Sequence, residues 1–213
     1  MFLPMILATT RRIREDYKQY CLNASTLPLS VDEYLRRIEE YTDFQIELIE
    51  VNWRSHQIRG SIHRFDASRT AKIYVAPRRE APGKIGITYC EQRFVAVKEA
   101  CHLLIDHEDT YTTAIAPLIE SLVFPGSREI NSLMEPMQSE VFAVVAAMEL
   151  LFPFEQREEH IEQIAQGKLS YFDVANKFKV PERQVFWILS DMAHPALKKY
   201  HELLNDILKQ RQK

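Results

Sequence analysis

The chain has 213 residues, 46% of them hydrophobic, and a formal net charge of −3. This composition excludes a disordered or low-complexity chain, and the near balance of charge provides no overall field to attract nucleic acid or an anionic membrane. The three cysteines are odd in number and lack C-x-x-C spacing, which excludes a disulfide framework and a zinc ribbon and favours a cytoplasmic location. No apolar run approaches the ~20 residues of a membrane span, and the N-terminal apolar run lacks the charge order of a signal peptide, so no membrane association is expected.

The charged N-terminal part of the chain is predicted to form two helices, separated near Leu27-Pro28. Leu35 and Ile38 recur at helical spacing, and Ser30 with Glu33 forms the S-x-x-E pattern that caps the start of a helix.

The hydrophobic period then changes from that of a helix to that of a strand. Apolar residues alternate with polar ones in the first of three short runs, and two further runs follow, with Gly60 and polar residues between their apolar positions. The runs are 44–48, 58–65 and 72–75. We therefore expect a small mixed sheet of three strands among helices, which makes the fold class α+β.

Two later helices carry the residues of greatest chemical interest. They are predicted over 91–106 and 136–151, with a short helix and a loop in the stretch 111–134 between them. In the first helix, Lys98 and His102 share a stripe with apolar residues, so both should point towards the interior.

A buried charge needs a partner, because an unpaired polar group costs several kcal/mol on burial. Glu140, on the second helix, also shares an apolar stripe and is available as that partner. We expect Lys98, Glu99, His102 and Glu140 to converge where the two helices pack. The Lys98 ammonium should form a salt bridge with Glu140, or with Glu99.

The pentamer K-E-A-C-H at 98–102 is the zinc-peptidase motif H-E-x-x-H with lysine in place of the first histidine. The surrounding residues 93–104, R-F-V-A-V-K-E-A-C-H-L-L, resemble the R-F-t-l-A-H-E-l-G-H-l-L segment of the ImmA/IrrE family of bacterial and phage metallopeptidase-like proteins. Residues 140–153 resemble that family's E-x-x-A-N-x-F-A-x-E-L-L-M-P helix. The resemblance implies a zincin-like core formed by the sheet and these helices.

The resemblance also assigns roles to the four converging residues. It implies that His102 and Glu140 are zinc ligands and that Glu99 is the general base. The position of the first zinc ligand is Lys98, whose protonated ammonium has no lone pair to donate to a metal. The expectation is therefore a site without a cofactor, with zinc as the alternative if the protein is active through a non-standard ligand set.

The chain after residue 155 is predicted to be helical and to form a C-terminal region, 156–213, beside a first domain, 1–155. Residues 171–189 have the pattern of a helix-turn-helix, and similar segments follow the core in many relatives implied by the resemblance. Their basic residues are few and offset by acidic ones, which favours a structural or docking hairpin over a DNA reader. His160, His194 and His201 are predicted to be solvated.

The family resemblance implies the first two of three candidate functions, and the C-terminal helix-turn-helix pattern suggests the third. The leading hypothesis is a catalytically degenerate ImmA/IrrE-type protein, a pseudoenzyme that acts as a regulatory or protein-binding scaffold. The resemblance implies a helix-turn-helix repressor as its partner. The alternatives are an active zinc metallopeptidase that cleaves such a regulator, and a DNA-binding regulator that uses the C-terminal helices.

Overall fold

The computed structural model describes residues 3–21, 27–53, 58–79, 86–105 and 135–211. Within these ranges the chain forms eight α-helices and one three-stranded sheet, which confirms the predicted α+β class. The short helix predicted in 111–134 lies outside the described residues. No helix in the described part of the chain is long and apolar enough to cross a bilayer.

The helices are α1 (Leu3–Tyr20), α2 (Val31–Thr42), α3 (Tyr89–Ile105), α4 (Glu135–Leu151), α5 (Arg157–Ala165), α6 (Tyr171–Phe178), α7 (Glu182–Ile188) and α8 (Ala193–Arg211), and the strands are β1 (Gln45–Glu50), β2 (Gly60–Phe65) and β3 (Thr70–Val75). Each predicted element within the described ranges is present, with ends shifted by a few residues, except that α1 begins seven residues earlier than predicted and includes most of the N-terminal apolar run. Shifts of a few residues are expected because helix and strand ends depend on capping as well as on hydrophobic period.

Helix α2 begins and ends at capping groups that are local in sequence. The hydroxyl of Ser30 accepts a hydrogen bond from the backbone N–H of Glu33 at 3.3 Å. At the other end, Asp43 adopts a left-handed conformation with φ 59° and donates its N–H to the Glu39 carbonyl. The predicted N-cap is thus confirmed, although the Glu33 carboxylate pairs with Arg36 and Arg37.

The sheet has the order β1-β3-β2, with β1 parallel and β2 antiparallel to the central strand. Ile62 is in register with Ile73 and is buried with it on the inner face of the sheet. Leu48 lies on the same face, but it is 44% exposed on the edge strand β1. The inner residues of β3, Ala71, Ile73 and Val75, are fully buried. Helix α3 covers this face over β2 and β3.

Gly60 allows β2 to approach α3 closely. A Cβ atom at this position would lie 2.2 Å from Val95 Cγ1 and 3.1 Å from Glu99 Oε1. Any other residue would force Val95 or the strand to shift, since real Cβ atoms do not make contacts this short. Gly60 therefore allows the backbone of β2 to lie directly beside the Glu99 side chain.

The C-terminal helices pack back onto the rest of the chain. Phe178 and Val185 are fully buried and belong to the same hydrophobic core as the sheet and α3. Arg14 on α1 forms a bidentate ion pair with Glu155, at 2.6 and 2.8 Å. The boundary predicted between residues 155 and 156 stays a prediction.

Candidate functional site

A cluster of buried charged side chains lies between α3 and α4. The structure brings together Lys98, Glu99 and His102 from α3 with Glu140 from α4. All four are buried, with 4 to 5% of each residue exposed. The two helices pack closely along their length, and small residues on α4, such as Ala143 and Ala147, allow this approach.

The Lys98 ammonium lies between the two carboxylates. Its Nζ is 2.9 Å from Glu140 Oε2 and 3.0 Å from Glu99 Oε1. The contact with Glu140 has the geometry of a hydrogen bond as well as of an ion pair. One positive charge is therefore shared by two negative charges in a site from which bulk water is excluded.

His102 is held at both ring nitrogens. Its Nε2 is 3.3 Å from Glu140 Oε1, and its Nδ1 is 3.2 Å from the hydroxyl of Ser139. Ser139 and Glu140 are adjacent in α4, so one turn of that helix orients the whole imidazole. Glu140 thereby contacts His102 through one oxygen and Lys98 through the other.

The electrostatics of the cluster keep its lysine and Glu140 charged. Burial alone raises the pKa of Glu140, but the charge of Lys98 and the hydrogen bonds from His102 and Lys98 outweigh this and lower the pKa to about 2. Burial likewise lowers the pKa of Lys98, yet the neighbouring Glu99 and Glu140 carboxylates leave it above its ordinary value. At neutral pH the pair is therefore an ammonium and a carboxylate.

The cluster does not fit a zinc ion in this arrangement. Two ligand atoms that are each 2.0–2.1 Å from a tetrahedral zinc are about 3.3 Å apart, and His102 Nε2 and Glu140 Oε1 have this separation. A zinc site needs a third protein ligand, however, and position 98 provides an ammonium that binds both carboxylates instead. Within the described residues, no group of three or more His, Cys, Asp or Glu is placed to hold a metal ion.

Cys101 does not replace the missing ligand. It is fully buried, and burial raises the pKa of its thiol well above the ordinary value although the charge of Lys98 opposes this. A thiol must lose its proton to bind zinc, so this residue is a small apolar member of the core.

A second buried charged cluster, at the junction of α4, α5 and α8, was missed by the sequence reasoning. Arg157 and Glu149 are completely buried, with Nη1 and Oε1 2.8 Å apart. The contact is an ion pair without hydrogen-bond alignment, while Arg157 donates Nε and Nη2 to the carbonyl of Phe152 at 3.0 and 2.8 Å. His201 on α8 approaches the same oxygen of Glu149 at 3.3 Å.

The prediction that His160, His194 and His201 are solvated is wrong, because all three are buried. His160 Nδ1 lies 2.6 Å from the Gln156 carbonyl, while the rings of His194 and His201 stack on Phe154. The signal was present in the sequence. The two histidines of α8 alternate at three- and four-residue steps with apolar residues that form its inner face.

The helix-turn-helix-like segment consists of α6 and α7, which pack against each other. Ser170 and Asp173 form a reciprocal capping box at the start of α6, and Lys179 makes the turn with φ 52°. Each helix of this hairpin has one exposed phenylalanine, Phe172 in α6 and Phe186 in α7, with exposed fractions of 61% and 56%.

No family model matches this chain, and no curated protein matches it.

Proposed function

We propose that this chain is a catalytically degenerate member of the ImmA/IrrE family that acts as a protein-binding, regulatory scaffold. The observation that carries the proposal is the Lys98 ammonium, which binds Glu140 at 2.9 Å and Glu99 at 3.0 Å. In an active relative, these positions would surround a metal and its activated water. Here the general base and one zinc ligand are both engaged by an internal cation.

The degenerate site keeps a positive charge beside its two carboxylates, where an active relative would have a metal ion. Without a positive charge, Glu99 and Glu140 would be two carboxylates in one buried pocket, and one of them would be driven neutral. The ammonium supplies that charge from within the chain.

Metal content tests the degenerate part of the proposal. We expect purified wild-type protein to contain no stoichiometric zinc and Lys98→His, which rebuilds H-E-x-x-H, to bind about one zinc per chain. Lys98→Met is the matched control, because it removes the charge without adding a ligand. Stoichiometric zinc in the wild type, together with peptidase activity lost in Glu99→Gln, would establish the active-peptidase alternative instead.

The regulatory part of the proposal concerns a protein partner. The family resemblance suggests a helix-turn-helix repressor encoded beside this chain's gene. We expect the two purified proteins to form a complex without cleavage of the repressor, and Glu99→Gln to leave the complex intact. Cleavage of the repressor, or gel-shift binding of DNA by this chain alone with loss in Arg183→Ala, would contradict the scaffold role.

A further inference from the structure

Helix α8 carries two apolar stripes, of which the inner one is buried by the described residues, whereas the outer one is covered by them only at Tyr200. The inner stripe consists of His194, Leu197, His201 and Leu204, all of which are buried. The outer stripe consists of Ala196, Tyr200, Leu203 and Ile207. Most outer residues immediately precede an inner one, so the outer stripe lies about 100° around the helix from the inner stripe.

Three of the four outer residues are exposed in the structure, and the fourth, Tyr200, packs partly against the core. Leu203 and Ile207 have exposed fractions of 47% and 38%, Ala196 is exposed, and Tyr200 is half-buried. Single exposed apolar residues are ordinary on protein surfaces, but a continuous stripe along one helix is not. Its steps of four, three and four residues are those of the a and d positions of a coiled coil.

We propose that α8 pairs in antiparallel orientation with the α8 of a second copy of this chain. In an antiparallel pair, each a position packs beside a d position of the partner helix. The outer stripe satisfies this rule with itself: Ala196 lies opposite the partner's Ile207, and Tyr200 lies opposite the partner's Leu203. Both layers place a smaller or flatter side chain beside a branched aliphatic one, and a twofold axis repeats each contact.

The charges beside the stripe complement each other in the same register. Lys199 and Asp206 are exposed residues that flank the stripe on one side. In the antiparallel pair, the partner's Asp206 lies opposite residue 197 of the first helix. Lys199 is two residues further along, an axial offset of about 3 Å, so the two charges can pair. The twofold axis makes two such ion pairs. A parallel pair would not bring these charges together, so they favour the antiparallel arrangement.

The outer stripe is short, and its length limits the strength of the interaction. From Ala196 to Ile207 it spans twelve residues of helix, or about 17 Å. A helix contact of this length buries less than the ~800 Å² per partner of a standard interface. We therefore expect a Kd in the micromolar range or weaker. This surface lies outside the buried Lys98 cluster, and the inference does not depend on the proposed function.

Sedimentation equilibrium of the full chain over a wide concentration range tests the pairing. We expect the average mass to rise from monomer towards dimer, and Leu203→Asp to raise the dissociation constant at least about tenfold. Met5→Asp is the matched control, because Met5 is an exposed apolar residue of another helix. Circular dichroism shows whether each variant is folded. A wild type that stays monomeric throughout, or a dimer that Leu203→Asp leaves unchanged, overturns the proposal.

Charge reversal tests the orientation. In the antiparallel pair, Lys199→Glu alone brings like negative charges together twice, and Asp206→Lys alone brings like positive charges together twice. Each variant should dimerise more weakly than the wild type. An equimolar mixture should recover association, because both contacts then join opposite charges. If the mixture associates no better than the separate variants, the antiparallel pairing is wrong.

Discussion

Replacing Lys98 with methionine should destabilise the protein strongly, because the substitution leaves two buried carboxylates without their shared cation. The ammonium makes ion pairs at 2.9 and 3.0 Å with carboxylates that are almost fully buried. At these distances and an effective dielectric constant of about 20, the Coulomb attraction of each pair is about 6 kcal/mol before the cost of desolvation is subtracted. Removing one partner of a buried pair costs ~3–5 kcal/mol, because the other charge is left without compensation. We expect a loss of this size in the free energy of unfolding at pH 7.

Urea denaturation followed by circular dichroism measures this loss by linear extrapolation. Lys168→Met, at an exposed lysine, is the control and should change stability by less than about 0.5 kcal/mol. Adding Glu99→Gln and Glu140→Gln to Lys98→Met should recover much of the stability, because the stranded charges are then absent. If Lys98→Met lies within about 1 kcal/mol of the wild type, or if neutralising the carboxylates does not help, the ion-pair explanation is wrong.

Three further predictions concern other parts of the molecule. Arg157→Met should lower the free energy of unfolding by ~3–5 kcal/mol in urea melts, because it strands the buried charge of Glu149. The pKa values of Glu140 and Glu149 are about 2, since nearby cations outweigh the effect of burial, whereas the ordinary value is 4.5. The stabilisation from these two ionised carboxylates should therefore be complete above pH 4.5 and be lost as the pH falls towards 2. Thermal melts at a series of pH values measure this loss, and a melting temperature that stays constant over that range would contradict the prediction. Val185→Ala should cost roughly 1–4 kcal/mol through lost burial, whereas Arg183→Ala should leave the melting curve unchanged, and the reverse order would contradict a structural role for the hairpin.

The periodic parts of this chain were predictable from local sequence. Strand 45–50 and helix 89–105 differ from the predicted ranges by a few residues, because alternation and helical spacing reflect which side of an element is buried. The same spacing indicated that Lys98 and Glu140 point inward. Because two opposite charges were expected to be buried on two helices, an ion pair between them was predicted. In the structure, Lys98 Nζ and Glu140 Oε2 are 2.9 Å apart.

Other features depend on contacts that no local pattern encodes. The order β1-β3-β2 combines a parallel and an antiparallel pair, and the alternation of each strand is compatible with other orders. The burial of Glu149 with Arg157 was not expected either. Glu149 interrupts an apolar helix and Arg157 begins a charged one, so neither segment alone identifies the other as its partner.

The histidines of α8 separate what the sequence determines from what the tertiary structure decides. His194 and His201 share a helical face with Leu197 and Leu204, so the sequence by itself determined that these four residues lie on one side of α8. Only the tertiary structure decided that this side is buried against Phe154 and Glu149. The hydrophobic period of a segment indicates which of its faces is buried. The segment that packs against that face is determined by contacts between distant parts of the chain, and Glu149 and His201 are about fifty residues apart.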